Sequence, residues 1–173
     1  IGGFITMVAG AKYGERLAGV ILVDSPVNPP GSHKGPPDRS RYAHRIYPTL
    51  AEALSRFRLA PEQPCSNLFI LDYIGRRSLT EVAGGWTWKF DPQLWSKLDR
   101  SAMNELGNEN AAPMAHIYGD KSNVMKRSPG SNANSFIPAS APHIAIPDSE
   151  HHIMVDQPLA LVASIRALLT RWP

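Results

Sequence analysis

The sequence has little cysteine, no clustered charge of one sign and no long apolar run. The single cysteine, Cys65, excludes an internal disulfide framework or a zinc-binding cysteine cluster, and it favours a reducing compartment such as the cytoplasm. No apolar stretch reaches the roughly 20 residues of a membrane-spanning helix, so no membrane partner is expected. The 18 lysines and arginines are scattered along the chain, which excludes the basic patch of a nucleic-acid-binding surface.

The composition is that of a globular domain with many loops. The chain has 173 residues, of which 43% are hydrophobic, and this is enough to bury a core. The first residues form an apolar stripe at helical spacing over residues 2–12, made by Phe4, Met7, Val8 and Ala11. The apolar run at 17–23 then predicts a buried parallel strand, which ends at Asp24. A helix followed at once by such a strand is half of a βαβ unit.

The middle of the chain has a different character. Residues 27–48 are polar and rich in proline, and Thr49 and Glu52 have the spacing of a capping box that starts a helix through about residue 57. No buried strand is predicted in this block, and the glycine- and tryptophan-rich segment 84–92 is expected to be irregular. Further helices are expected over residues 67–79 and 92–106.

Sheet signals return near the C-terminus. Short strands are predicted at 114–118 and 143–146, and a final helix from about residue 157. The order of elements predicts an α/β fold, a parallel sheet flanked by helices with a helical insertion. The expected organisation is core at 1–27, a helical cap or lid at 28–85 and core again at 86–173. A short helix is also expected near 132–137, and the final helix has the apolar stripe Leu161, Ile165, Leu168 and Trp172.

Polar residues follow each predicted strand, where ligands of α/β sheets bind. Asp24 follows the first strand, Asp120 the second, and His151 lies after the third. An aspartate and a histidine at strand ends are two members of a nucleophile–base–acid arrangement, in which the base takes a proton from the nucleophile and the carboxylate orients the imidazole. The nucleophile has no candidate at these strand ends.

The opening residues Ile1-Gly2-Gly3, which run into an apolar helix, resemble the end of the nucleophile elbow Gly-x-Ser-x-Gly of the α/β-hydrolase family. The resemblance places the nucleophile one residue before Ile1. It extends over nearly all of the chain, because the segments 19–24, 114–119 and 151–158 resemble, in order, the strand after the elbow helix, the strand before the acid and the histidine segment.

The resemblance implies an incomplete α/β-hydrolase fold and a hydrolase of small or medium ester or lactone substrates that needs no metal or organic cofactor. His151 would be the general base, and the backbone N–H of Ile1 would be an oxyanion-hole donor. A chain without its nucleophile is expected to be inactive. In the lid, Trp86, Trp88 and Phe90 are expected either to line a substrate pocket or to anchor the lid.

The acid departs from the family pattern, because Ser122 stands where the family usually has aspartate. Three alternatives stay open from the sequence. Asp24 is the acid, as in haloalkane dehalogenases, or Asp120 reaches the histidine, or the site is a dyad. The rival to His151 is His152, and His116, within a strand, is expected to be a core residue with satisfied hydrogen bonds.

Two other functions also stay open. If the residue before Ile1 is aspartate, the resemblance implies an epoxide hydrolase or a haloalkane dehalogenase. Alternatively, the anomalous Ser122 favours a non-catalytic protein that binds a small molecule under its lid. The oligomeric state has no signal in the sequence.

Overall fold

A computed structural model describes residues 1–26, 45–97, 112–126 and 137–172. By its contacts the chain divides into two compact units, Ile1–His33 with Arg100–Pro173, and Lys34–Asp99. The helices are α1 (Gly2–Tyr13), α2 (Leu50–Leu54), α3 (Leu68–Arg77), α4 (Leu94–Lys97), α5 (Asn123–Lys126), α6 (Ile153–Asp156) and α7 (Pro158–Leu169). The strands are β1 (Val20–Val23), β2 (Leu79–Val82), β3 (Gly85–Trp88), β4 (Met114–Gly119) and β5 (His143–Ile146).

The first unit contains a parallel sheet with the strand order β1-β4-β5. Val23 pairs with Ile117 in β4, and Gly119 at the end of β4 pairs with Ile146 of β5. Because the strands are parallel, their carboxyl ends share one edge of the sheet. The predicted α/β fold class is therefore confirmed, and the two strands predicted near the C-terminus are the ones observed.

Helices cover both faces of this sheet. Met7 of α1 packs against Leu22 and Met114, together with the rest of the predicted stripe. The next residue of β4, Ala115, points to the opposite face, where Leu161 and Leu168 of α7 pack. The helix α6, directly before α7, was not expected from the sequence.

The second unit contains an antiparallel hairpin, β2 with β3, where no strand is predicted. Leu79 pairs with Trp88 and Val82 with Gly85 across a two-residue turn. The turn depends on glycine, because Gly84 and Gly85 have φ angles of 90° and 139°. Part of the segment expected to be irregular, Gly85–Trp88, is thus a strand, and the preceding helix ends at Arg77, shortly before β2 begins. The expected division between lid and core at residues 85 and 86 falls inside this hairpin.

A small core holds the second unit together. Tyr47, Ala53 and Leu79 are buried there, and Leu54 of α2 packs against them. The predicted N-cap of α2 is present, since the Thr49 hydroxyl accepts the Glu52 N–H at 3.2 Å, which is one of the two bonds of a capping box. Of the helix predicted at 92–106, α4 is the part within the described residues. Most of the short helix expected near 132–137 lies outside them.

Among the described helices, none combines the length and hydropathy that a bilayer crossing requires.

Candidate active site

The carboxyl edge of the parallel sheet brings together three polar side chains that are far apart in sequence. Asp24 directly follows β1, Ser122 lies three residues after β4, and His151 lies in the loop between β5 and α6. Asp24 and Ser122 are almost completely buried, with 0% and 1% of their surface exposed. The arrangement therefore places a carboxylate inside the protein, beside an imidazole that is 29% exposed at its side chain.

Asp24 accepts three hydrogen bonds. Its Oδ1 accepts the backbone N–H of Gly119 at 2.9 Å, and its Oδ2 accepts the Ser122 hydroxyl at 2.6 Å. The same Oδ2 lies 2.7 Å from Nδ1 of His151. A buried carboxylate without donors is strongly destabilising, so these three partners make its position possible. The backbone at Asp24 has a φ of 43°, a left-handed conformation that aspartate tolerates better than most residues.

The contact with Asp24 determines which nitrogen of His151 carries the proton. An ionised carboxylate only accepts hydrogen bonds, so Nδ1 must donate to Oδ2. The neutral imidazole then has its lone pair on Nε2, at the other side of the ring. A histidine held in this tautomer can accept a proton at Nε2 and become an imidazolium ion stabilised by the neighbouring carboxylate.

Close packing fixes the loop that carries His151. A Cβ on Gly119 would lie 2.3 Å from the carbonyl oxygen of Ser149, so only glycine lets β4 pass this close beneath the loop. The Lys121 N–H donates to that same carbonyl oxygen at 3.0 Å. On the other side, the Glu150 N–H donates to the carboxylate of Asp156 in α6 at 2.8 Å. The backbone directly before the histidine is therefore tied both to the sheet and to α6.

Of the two predicted acids, the structure brings Asp24 to His151. Asp120 has an exposed side chain, and its Oδ1 accepts the Ser149 N–H at 3.3 Å. Asp120 therefore helps to hold the loop that carries His151. The ring of His152 lies edge-on to that of His151, with the centroids 4.9 Å apart. The hydrogen bond to the buried carboxylate belongs to His151 and supports its choice over His152.

Sequence reasoning missed Ser122 as a member of the site. In the sequence, Ser122 stands out only because the family pattern has aspartate at this position. The sequence does not show that the Ser122 hydroxyl donates to the carboxylate of Asp24. The signal available in the sequence was the coincidence of an aspartate at position 24 with a hydrogen-bond donor at position 122.

The start of α1 lies beside the end of β1. A Cβ on Gly3 would lie 2.4 Å from Cβ of Ser25, the residue after Asp24, so the first turn of α1 packs directly on this strand end. Ile1 is the N-cap residue of α1. The N-terminus of a helix has N–H groups that are not used within the helix and favours negative charge nearby.

The predicted lid aromatics lie in the second unit. The ring of Trp88 contacts those of Tyr47 and Phe57, with centroid distances of 6.2 and 6.0 Å. Trp86 also packs against the small core of this unit, whereas Phe90 is 60% exposed. Both tryptophans thus contribute to the packing of their own unit, and their predicted contact with a substrate stays a prediction.

His116 is buried as expected, but it is not satisfied as expected. Its surface is 0% exposed, and neither ring nitrogen has a hydrogen-bond partner among the described residues. Its ring stacks on Tyr118 and meets the edge of His143, with centroid distances of 5.2 and 5.8 Å. Burial disfavours the charged ring and, with the nearby His143, lowers the pKa of His116 to about 4, although Asp24 opposes this shift.

Several solved structures are similar to this chain. A thioesterase domain from the curacin biosynthetic pathway has a TM-score of 0.66 at 20% identity, over 95% of this chain and 63% of its own. An E-2-(acetamidomethylene)succinate hydrolase has a TM-score of 0.75 at 14% identity, over 98% of this chain and 63% of its own. An esterase from Mycobacterium tuberculosis has a TM-score of 0.71 at 20% identity, over 97% of this chain and 57% of its own.

These similarities concern the fold, because the sequence identities are low. The chain spans less than two thirds of the length of these three proteins. No protein-family model matches the sequence, and no curated protein matches it either. The fold shared with the three enzymes agrees with the resemblance described from the sequence.

Proposed function

We propose that this chain, which has the α/β-hydrolase fold, belongs to a longer hydrolase that cleaves small or medium ester or lactone substrates. The observation that carries the proposal is the 2.7 Å contact between Nδ1 of His151 and Oδ2 of the buried Asp24. It creates a general base of defined tautomer at the edge of the sheet where such enzymes work. The three similar structures, an esterase, a thioesterase domain and a hydrolase, support this class of reaction.

In the proposed mechanism, a serine directly before Ile1 attacks the carbonyl carbon of the substrate. His151 takes the serine proton at Nε2, and the carbonyl electron pair moves to the oxygen, which the Ile1 N–H stabilises. The imidazolium then gives its proton to the leaving alcohol, and an acyl-enzyme is formed. Water, deprotonated by the same nitrogen, then attacks the acyl-enzyme. The bond from the acyl carbon to the serine oxygen breaks, the imidazolium returns its proton to that oxygen, and the acid and the free serine are released. Asp24 stabilises the imidazolium in both halves of the reaction.

The test is an ester-hydrolysis assay of the longer protein with p-nitrophenyl esters of increasing acyl length. We expect His151→Ala to lower kcat by roughly a thousandfold or more, because the nucleophile loses its base. His152→Ala is the matched control, since it removes a neighbouring imidazole that has no described contact with Asp24, and it should retain most activity. Equal rates for the His151→Ala variant and the unmodified protein would contradict the proposal.

A second candidate function has one observation in its favour. The carboxylate that pairs with His151 follows β1, which is where haloalkane dehalogenases, members of the family that the sequence resembles, have their acid. If the residue before Ile1 is aspartate, the enzyme would form an alkyl-enzyme ester from an epoxide or a haloalkane. The codon upstream of Ile1 and a halide-release assay distinguish this candidate from the esterase. The non-catalytic alternative is supported only by the unexpected Ser122. The hydroxyl of this residue donates to Asp24, which gives the serine a place in the proposed catalytic site.

We further propose that the second unit is the lid that selects the substrate. Its exposed Phe90 has more surface free for a ligand than the other two predicted aromatics, Trp86 and Trp88, which pack against the small core of the unit. Under this proposal, Phe90→Ala changes KM for long acyl chains more than kcat, whereas loss of the tryptophans acts through the stability of the unit.

A further inference from the structure

We propose that Ser122 is a positioning residue that holds the Asp24 carboxylate in the orientation His151 requires. The inference rests on the proposed function, because it concerns the same imidazole and carboxylate. It assigns a role to the residue that departs from the family pattern, at the place where the acid is usually found.

The geometry of Asp24 Oδ2 supports this role. This oxygen is 2.6 Å from Oγ of Ser122 and 2.7 Å from Nδ1 of His151, so two donors share it. The other oxygen, Oδ1, is held by the Gly119 N–H. Donors on both oxygens prevent rotation of the carboxylate about its last side-chain bond. Without Ser122, Oδ2 would be held only by the imidazole that it has to orient, and the Gly119 N–H on Oδ1 would be the one remaining donor outside His151.

The hydroxyl of Ser122 is itself oriented by the backbone. Its oxygen lies 3.4 Å from the N–H of Met125 in the first turn of α5, which donates to it. A serine oxygen that accepts a bond from the backbone directs its own hydrogen elsewhere, and the described acceptor in reach is Asp24. The turn that carries the serine is also fixed, because the Ser122 N–H donates to the Gly119 carbonyl at 3.1 Å.

Other groups around the pair do not replace this contact. His116 of β4 interacts electrostatically with Asp24 but its ring nitrogens form no hydrogen bond within the described residues, and the ring of His152 contacts that of His151. The side chain of Asp120 is bonded to the Ser149 N–H. Among the described side chains, Ser122 and His151 are the two that donate to Asp24.

The first experiment compares Ser122→Ala with Ser122→Thr in the longer, active protein. We expect Ser122→Ala to lower kcat about tenfold with KM nearly unchanged, since a bond to a charged group is lost without any substrate contact. Ser122→Thr keeps the hydroxyl and should recover most of kcat. Ser149→Ala is the matched control, because Ser149 is equally buried beside the same loop, and its hydroxyl bonds Glu150 O at 3.3 Å instead of Asp24.

A second experiment separates the positioning of the carboxylate from the hydrogen bond that the Ser122 hydroxyl accepts from the Met125 N–H in α5. In an Asp24→Asn background, adding Ser122→Ala should have no further effect on kcat, because the serine acts through the carboxylate. If Ser122→Ala lowers kcat by the same factor in both backgrounds, or if it matches Ser149→Ala in the original background, the positioning role is refuted.

A spectroscopic readout keeps the inference independent of turnover. The hydrogen between Nδ1 of His151 and Oδ2 of Asp24 should give a low-field proton NMR signal, assigned by its loss in His151→Ala. Ser122→Ala should shift this signal and speed its exchange with water, and Ser149→Ala should do neither. A protein that hydrolyses no ester but shows this response would refute the proposed function alone. An unchanged signal in Ser122→Ala would refute the inference alone.

Discussion

Asp24 is both a buried carboxylate and the residue at which the chain turns after β1. A carboxylate buried this completely needs donors, and a residue directly after a strand must turn the chain sharply. Aspartate meets both, because it tolerates the φ of 43° and accepts bonds from three directions. The sequence leaves three alternatives open, with Asp24 as the acid, with Asp120 as the acid, or with a dyad that has none. It could not decide between them, since the choice depends on where the Asp120 side chain turns after β4.

His116, in contrast, is a buried titratable group whose ring nitrogens have no hydrogen-bond partner among the described residues. Its lowered pKa of about 4, against 6.5 for an ordinary histidine, means that between these pH values the unfolded chain binds a proton that the folded chain does not. The free energy of unfolding therefore falls as the pH drops from 6.5 to 4. The full loss is roughly 3 kcal/mol at 1.36 kcal/mol per pH unit.

The measurement is urea denaturation of the longer protein at intervals from pH 7 to pH 4. His116→Leu should remove most of this pH dependence, because no buried imidazole remains to be protonated on unfolding. His143→Gln is the control on the neighbouring strand, and it should retain most of the dependence, since burial is the larger cause of the shift. A His116→Leu variant with the same pH dependence as the original protein would contradict the assignment.

At the scale of elements, the ends of β1 and β4 offer two positions from which a carboxylate can reach His151. Oγ of Ser122 lies 2.6 Å from Asp24 Oδ2, and an aspartate side chain extends one bond further than serine. An aspartate at 122 would thus bring an oxygen close to the place of Oδ2. The sequence alone suggests that the acid is missing after β4, whereas in the structure the carboxylate that contacts His151 lies at the end of the neighbouring strand.

This geometry predicts that the acid can be moved. Asp24→Asn should lower kcat by roughly a thousandfold or more, since an amide no longer fixes the tautomer of His151. Adding Ser122→Asp should raise the kcat of that variant at least about tenfold, because the new carboxylate can accept the Nδ1 hydrogen. The control, Asp24→Asn with Ser122→Asn, has the same shape and no charge. Equal activity of the two double variants would refute the prediction.

The hairpin of β2 and β3 is the element that sequence reasoning missed. Each of its strands has four residues, too few for a clear alternation, and its tryptophans and glycines have the composition of an irregular loop. What fixes the hairpin is backbone geometry at its turn. A Cβ on Gly85 would lie 2.1 Å from the carbonyl oxygen of Tyr47, whereas one on Gly84 would have no atom closer than 4.0 Å.

These two glycines form a matched pair for a stability measurement. Gly84→Ala should cost about 1 kcal/mol, because it adds a left-handed strain at a φ of 90° with open space around the new methyl group. Gly85→Ala adds a backbone clash to a similar strain and should cost more than about 3 kcal/mol. Chemical denaturation followed by tryptophan fluorescence measures both. Equal losses in the free energy of unfolding of the two variants would contradict the close approach of Gly85 to the Tyr47 carbonyl oxygen.

At the scale of the whole molecule, each of the two units has its own buried cluster. The order of motifs along the chain was enough to predict the sheet and its flanking helices, because helical stripes and buried strands are local patterns. The extent of the second unit was not predictable in this way. It depends on the pairing of β2 with β3, and on the bridge between Tyr47 and Trp86, which joins residues about 40 positions apart along the chain.

The surface of the first unit leads to a prediction about the chain by itself. In the described residues β1 pairs with β4 along one edge, and no described strand pairs with the other. Ile5 and Tyr13 of α1 are each 54% exposed. An open edge strand and exposed apolar side chains favour aggregation and weaken cooperativity. We therefore expect the 173-residue chain, expressed alone, to unfold over a broad temperature range and to hydrolyse no ester.

Under the proposal that the chain belongs to a longer protein, the same residues in that protein should unfold in a sharper transition at higher temperature, because further structure can cover the edge of β1 and the exposed side of α1. Circular dichroism at 222 nm during heating compares the two forms. Charged substitutions test the cause, since Ile5→Lys should improve the solubility of the chain alone and destabilise the longer protein. A sharp, reversible transition of the chain alone, unchanged by Ile5→Lys in either form, would contradict this account of its surface.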